Sequence, residues 1–409
     1  MRVRIHRGAN EIGGSCVEIE ADGSTVVIDA GLPLTSRSDV PPKPPEINTQ
    51  MLRAIVISHP HLDHYGLLPW MPQVPVAIGA AARRILRAAQ PYMKQPDFKL
   101  DGPDLADRQP ITIGPFRVTP YLVDHSAYDA YALLIEAEGK RLFYSGDIRI
   151  HGRKHRQVER LISDPPSNID ALLLEGTTLG RKTDSPIPQT EVEIEKLFTE
   201  RFREAKGLTL VQVSAQNIDR LVSLYRACQK SGKTLLIDLY TAEILAATEN
   251  SHVPQSHWDG IGLCIPQRQR IQIKRNQWFD ALERHSSHRV FLNKHVSRNP
   301  ERYVLLFRGL WLRDLEQAGL LQGACLIHSQ WEGYLKEDRC IGDAAWRQSH
   351  GIEFHQIHTS GHASPAGLRR LATALASKIM IPIHSMAPER FTSIHPNVIR
   401  YADGEWWDV

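Results

Sequence analysis

Ten consecutive residues, Ile57-Ser58-His59-Pro60-His61-Leu62-Asp63-His64-Tyr65-Gly66, carry three imidazoles and a carboxylate within six positions. They follow the apolar run Leu52–Ile57, whose composition is that of a buried strand, so the polar cluster falls where the strand ends. Extended backbone turns His59 and His61 to one side, while Asp63 and His64 sit where the chain curves into the next element. Isolated histidines in loops are commonly solvated or structural. Four nitrogen and oxygen donors at this spacing instead suit two divalent ions, with zinc the first expectation and Mn or Fe compatible with the same donors. A chain that delivers such a cluster from a strand end is expected to be a layered α/β protein.

The same placement recurs along the chain. His125 follows the strand-like Phe116–Val123, Asp147 follows Arg141–Ser145, Glu175 closes the apolar Ile169–Leu174, and His384 closes Lys378–Ile383. Asp147 could bridge two cations through its two oxygens. Near the C-terminus, His358-Thr359-Ser360-Gly361-His362 precedes Ser364-Pro365, which suit the N-cap and first turn of a helix. His358, Ser360 and His362 thereby form a candidate anion pocket.

A chain of 409 residues exceeds what one hydrophobic core usually serves. The texture changes after residue 185. Pro186–Lys206 reads as a charged helix, Leu208–Val213 as a strand, Gln216–Lys230 as a helix with an apolar stripe, and Thr234–Leu239 as a strand, which is a parallel βαβ unit. Tyr303–Phe307 and Ala324–Ile327 add two strands. Between Asp259 and Asn299, Arg268, Arg270, Lys274 and Arg275 stand beside Trp278 and Phe279. That stretch fits either a surface that tracks a nucleic-acid strand or a solvated helix face with both aromatics turned inward.

The net charge of +3 is compatible with a polyanionic substrate without demanding one. Five cysteines, Cys16, Cys228, Cys264, Cys325 and Cys340, contain no CxxC pair and read as reduced thiols. No long apolar segment occurs, so a soluble cytoplasmic protein without a membrane partner is expected.

Taken together, these motifs resemble the metallo-β-lactamase superfamily and, within it, the β-CASP nucleases such as ribonuclease J and the cleavage and polyadenylation endonucleases. His59-Pro60-His61-Leu62-Asp63-His64 is similar to the HxHxDH signature. His125 and Asp147 resemble the later single ligands, and Glu175, His362 and His384 the three β-CASP motifs. The motifs depart from the usual pattern at Gly176, where the endonucleases tend to carry Ser, and at Ser385, where ribonuclease J usually carries Gly.

The resemblance implies an α/β fold of four αβ/βα layers with an inserted α/β β-CASP domain. Residues 1–185 and 346–409 would make the first domain and 186–345 the insertion. It implies two Zn2+, with Mn2+ as the alternative, one held by His59, His61 and His125, the other by Asp63, His64 and His384, bridged by Asp147. A metal-bridging hydroxide would cleave RNA, His362 would act as general acid held by Glu175, and His358 and Ser360 would bind a substrate phosphate. RNA is the expected partner, with DNA as an alternative substrate and homo-oligomerisation left open. The rival readings are a small-molecule hydrolase of the same fold and a non-catalytic subunit of an RNA-processing complex.

Overall fold

The computed structural model describes residues 1–34, 43–93, 95–181, 189–336 and 343–409. The chain divides into two compact units, Met1–Pro188 with Gly361–Val409, and Gln189–Ser360.

In the first unit, β1 (Arg2–Arg7), β2 (Cys16–Ala21), β3 (Ser24–Ile28), β4 (Leu52–Val56), β5 (Val76–Gly79) and β6 (Asp104–Leu105) form one sheet, completed by the chain's last strand, β19 (Trp406–Asp408), beside β1. A second sheet holds β7 (Ile111–Ile113), β8 (Phe116–Val123), β9 (Ala130–Ala137), β10 (Lys140–Tyr144) and β11 (Ala171–Glu175), with β18 (Ile379–Ile383) on the outer side of β11. β11 pairs in parallel with both β10 and β18.

Apolar residues of both sheets meet in one core that includes Val3, Ile19, Val56, Phe116, Leu133, Leu173 and Ile381. The opposite face of the second sheet, through Leu134, Leu172 and Leu174, packs with helix His155–Ser163 and helix Pro365–Leu375. The opposite face of the first sheet, through Val27, Ile57 and Ile78, packs with helix Ala80–Ala89. Because β11 is covered on both faces, its sequence is continuously apolar rather than alternating. These are the four layers, helix, sheet, sheet and helix, of a metallo-β-lactamase fold.

The alternation in Cys16-Val17-Glu18-Ile19-Glu20 predicts a half-exposed strand, yet β2 is almost entirely buried. Arg4 and His6 reach Glu18 at 2.6 and 2.7 Å, which lets a carboxylate occupy an enclosed position. Burial alone would raise the Glu18 carboxyl, but His6 and Arg4 hold it below its ordinary range.

The second unit is built on a sheet of β12 (Thr209–Gln212), β13 (Thr234–Ile237), β14 (Ile261–Leu263), β15 (Tyr303–Phe307), β16 (Cys325–His328) and β17 (Glu353–Gln356). Its order is β14-β13-β15-β12-β16-β17, and every pairing is parallel. The helix expected over 186–206 spans Glu191–Glu204, opened by a capping box between Thr190 and Glu193. Residues 182–188, which contain the expected boundary, lie outside the described residues. The second boundary falls at 360/361 rather than 345/346, because β17 pairs with β16 and so ties residues 353–356 to the inserted sheet. Cys16, Cys228, Cys264 and Cys325 are buried free thiols, and Cys340 lies outside the described residues. Among the described residues no helix is long and apolar enough to cross a membrane.

Candidate metal centre

All the donors described here belong to the first unit. β4 ends at Val56, and the chain runs through His59 and His61 into the one-turn helix Leu62–Tyr65, which carries Asp63 and His64. His125 follows β8, Asp147 follows β10, Glu175 is the last residue of β11, and His384 comes directly after β18. His384 and Asp29 both adopt the left-handed backbone region, with φ of 53° and 58°, which costs a non-glycine residue about 1 kcal/mol or more. Each turns sharply out of a strand there. The amide of His384 donates to Gly8 O at 2.7 Å, which fixes the turn.

Two groups of donors result. In His59, His61 and His125 one ligand atom of each lies within 4.8 Å of the others, and the same holds for Asp63, His64, Asp147 and His384. His61 Nδ1 and His125 Nε2 stand 3.1 Å apart, close to the roughly 3.3 Å expected of two nitrogens on one tetrahedral zinc with Zn–N bonds near 2 Å. Asp147 Oδ2 lies 3.2 Å from His64 Nε2, 3.7 Å from His59 Nε2 and 3.9 Å from His125 Nε2, so it reaches both groups. Asp63 Oδ2 lies 3.4 Å from His384 Nε2.

The other nitrogens of these rings are engaged. His64 Nδ1 donates to Asp29 Oδ2 at 2.7 Å, and His125 Nδ1 donates to Gly361 O at 2.6 Å. Ser58 Oγ lies 3.0 Å from His59 Nδ1, and Thr177 Oγ1 2.8 Å from His384 Nδ1. A carbonyl or carboxylate can only accept, so those contacts place a proton on Nδ1 in His64 and His125 and leave Nε2 as the ring nitrogen that a cation could take. His59 Nε2, His64 Nε2 and Asp147 Oδ1 are buried without a hydrogen-bond partner among the described residues. Buried orphan atoms of this kind, all on donor side chains, are what a cation would satisfy. The donor set therefore fits divalent cations.

Electrostatics agree with that fit. Burial, reinforced by the neighbouring imidazoles, pushes His59 and His125 well down, and burial brings His61 to about 4. These three are neutral at neutral pH, the form in which an imidazole can bind a metal. Burial would raise Asp63 and Asp147, but His384 and His64 outweigh it. Asp63 falls to about 2, and Asp147 is also held well below the carboxylate range. His64 is held high by Asp147 and Asp29 against its burial, so a metal at Nε2 would replace a proton.

Beside the second group, His362 Nδ1 lies 3.2 Å from Glu175 Oε1 and 3.8 Å from Asp147 Oδ2. Burial would lower the His362 imidazole, but Glu175 and Asp147 raise it above its ordinary value. Glu175 is fixed in turn, accepting from the amides of Ile148 at 3.3 Å and Thr177 at 2.9 Å. Ser364 caps the following helix as expected, accepting from Gly367 N at 3.3 Å.

His358 and Ser360 belong to the second unit. His358 follows β17, and its Nδ1 is buried without a hydrogen-bond partner among the described residues. Burial, with the Arg220 cation adding to it, brings that imidazole to about 3. Arg220 is itself fully buried, paired with Glu191 at 3.0 Å and donating to Ser329 O at 3.2 Å.

Asp29, Ser58 and Thr177 were missed as positioning residues. Asp29 had a readable signal, since Val26-Val27-Ile28-Asp29 is one more apolar strand ending in a carboxylate. Ser58 and Thr177 had none beyond adjacency to a motif.

Residues 9–175 match the model of the metallo-beta-lactamase superfamily. This part of the chain is similar to metallo-β-lactamase superfamily domains. The chain is similar over 92% of its length to Ribonuclease J of Helicobacter pylori, at 23% identity over 416 residues and 55% of that protein. Similarity to Ribonuclease J of Mycoplasma genitalium covers 92% of the chain and 66% of that protein at 22% identity. The chain thus spans about half the length of the Helicobacter relative. A crystal structure of an Enterococcus faecalis V583 protein of unknown function has the same fold, with a TM-score of 0.77, 19% identity and 99% of both chains covered. The similarity to the proteins named Ribonuclease J implies a β-CASP-type insertion for the inserted α/β unit.

Proposed function

We propose that this protein is a metal-dependent phosphodiesterase that cleaves RNA, with two divalent cations, zinc or alternatively manganese. The reading rests on one observation above others: seven donors lie in two groups, with Asp147 of the second 3.7 and 3.9 Å from His59 and His125 of the first, and with the Glu175–His362 pair alongside. The similarity to proteins named Ribonuclease J supports RNA as substrate.

In this reading His59, His61 and His125 would hold one cation and Asp63, His64 and His384 the other, with Asp147 available to both. The cations supply charge that acidifies water and offsets the charge growing on the phosphoryl oxygens. The residues of the chain do the rest. Asp29, Gly361 and Thr177 hold the rings of His64, His125 and His384 in the orientation that presents Nε2. His362, whose imidazolium form Glu175 and Asp147 favour against its burial, gives its proton to the departing 3′ oxygen as the P–O bond breaks. Water supplies the new oxygen on phosphorus, leaving a 5′-phosphate and a 3′-hydroxyl. His358 and Ser360 are proposed to contact a substrate phosphate.

The test is incubation of purified protein with 5′-labelled RNA and matched DNA, with and without chelator, beside Asp63→Ala and His64→Ala variants. Chelator-sensitive cleavage of RNA, lost in both variants, is expected. Mononucleotide release would assign exonuclease action and internal fragments endonuclease action. Intact RNA with turnover of small esters, or cleavage that persists in both variants, would overturn the proposal.

A further inference from the structure

The segment 266–302 of the second unit carries nine Arg and Lys against three Asp and Glu, a surplus of six, whereas the whole chain has a surplus of three. The remainder of the protein is therefore net acidic, and its positive charge is concentrated here. Helix α1 (Gln267–Asn276) and helix α2 (Phe279–Arg284) form the outer part of this segment, joined at Gln277, whose φ of 57° reverses the chain. On α1, Gln269 and Ile273 turn inward one turn apart, and Arg268, Arg270, Ile271, Lys274 and Arg275 are exposed. Ile271 is 59% exposed at the middle of those cations.

The two sequence readings of this stretch part at the aromatics. A merely solvated helix face would bury them, but Phe279 is 53% exposed and Trp278 is only partly covered. Of the cations, Arg270 is engaged by Asp314 at 3.4 Å. Among the described residues Arg268, Lys274 and Arg275 have no ion pair. Clustered lysines and arginines without acidic partners repel one another, and an outward aromatic ring among them gains nothing from the fold. Both costs disappear against a ligand that alternates negative charge with flat apolar rings. Single-stranded nucleic acid has that chemistry, with phosphates for the cations and bases for Phe279 and Ile271.

We infer that α1 and α2 of the inserted unit form a docking surface for single-stranded RNA, separate from the residues of the metal centre. This deepens the proposed function, on which its choice of RNA rests.

The test uses the full chain and a triple variant, Arg268→Gln with Lys274→Gln and Arg275→Gln, beside Phe279→Ala. All four side chains are exposed, and circular dichroism checks that the variants fold. Affinity for a fluorescent 20-nucleotide single-stranded RNA is measured between 50 and 300 mM salt in the presence of chelator. The triple variant should bind at least tenfold more weakly and flatten the log–log salt dependence by about two, since each phosphate that a cation neutralises on a single strand adds roughly 0.7 to the slope. Phe279→Ala should weaken binding about tenfold without changing the slope. Hydrolysis of a small nitrophenyl phosphodiester with metal restored should be unchanged in both.

Wild-type affinity and slope in the folded triple variant would overturn the inference. So would competition by polyglutamate as effective as by RNA, which would reassign the patch to an acidic protein. A wild-type protein that binds RNA through this surface but never cleaves it would leave the inference standing and remove the nuclease reading. Cleavage with unaltered binding in the variants would do the reverse.

Discussion

At Asp29 one carboxylate receives Ser58 N at 2.7 Å, Ser58 Oγ at 2.8 Å, His64 Nδ1 at 2.7 Å and Tyr144 OH at 2.7 Å, with no exposure to solvent. It touches no candidate metal position, yet it fixes the ring that does. Replacing it by Ala should lower metal affinity 10–100-fold by removing the partner that sets the His64 tautomer. Titration with zinc against a competing chelator reads this, and unchanged affinity would show that packing alone holds His64. Thr177→Val tests His384 in the same way. The departures at Gly176 and Ser385 also meet at this scale. A Cβ at 176 would lie 2.4 Å from the Phe391 ring and 2.9 Å from Ser385 Oγ, and that hydroxyl donates to Gly176 O at 3.1 Å. Gly176→Ser should therefore destabilise by about 1–3 kcal/mol through overpacking. Denaturant unfolding measures it.

Among the elements, the segment after β3 shows how tightly the ligand helix is held. Ser15 N donates to Asp63 O at 3.0 Å, Ala30 N to His64 O at 2.7 Å and Leu32 N to Leu62 O at 2.9 Å. A Cβ on Gly31 would stand 1.9 Å from Asp63 O, so only glycine permits this approach. Gly31→Ala should displace Asp63, weakening metal binding along with stability, and the zinc titration used for Asp29 detects it. In the second unit, the end of β17 supplies a pH-dependent term. His358 is neutral in the fold, with its imidazole lowered from 6.5 to about 3. As pH falls below 6.5 the unfolded chain takes up a proton that the folded unit refuses. Stability from this group is complete above pH 6.5 and declines toward pH 3, at no more than about 1.4 kcal/mol per pH unit. Urea titrations at stepped pH should show this slope in the wild type and lose its share in His358→Gln.

For the whole molecule, metal removal separates the two units. The buried orphan atoms of His59, His64 and Asp147 lie in the first unit, where two β-sheets and both chain ends meet. A ligand bound only by the fold stabilises it by mass action. Chelation should therefore lower the melting temperature and raise hydrogen exchange around residues 57–66, 145–149 and 383–385, while β12, β13 and β15 keep their protection. Equal loss of protection in β12, β13 and β15 would mean that the two units unfold as one.

The candidate donors were legible in the sequence because they follow apolar runs, as at Leu52–Ile57, Phe116–Val123 and Lys378–Ile383, and strand ends are where a layered sheet delivers side chains. The inserted α/β unit was legible from its alternating strand and helix periods. What the sequence could not determine is anything that depends on two distant segments touching. The pairing of β17 with β16, which moves the boundary to 360/361, is a matter of edge hydrogen bonds open to any strand of suitable length. The burial of Glu18 depends on Arg4 and His6 one strand away, the tautomer of His64 on Asp29, and the conflict at Gly176 on Phe391. Local composition fixes which backbone period a segment adopts and where it stops. Only the packed chain decides which buried polar atoms find partners and which, like His59 Nε2 and Asp147 Oδ1, are left facing a space suited to a cation.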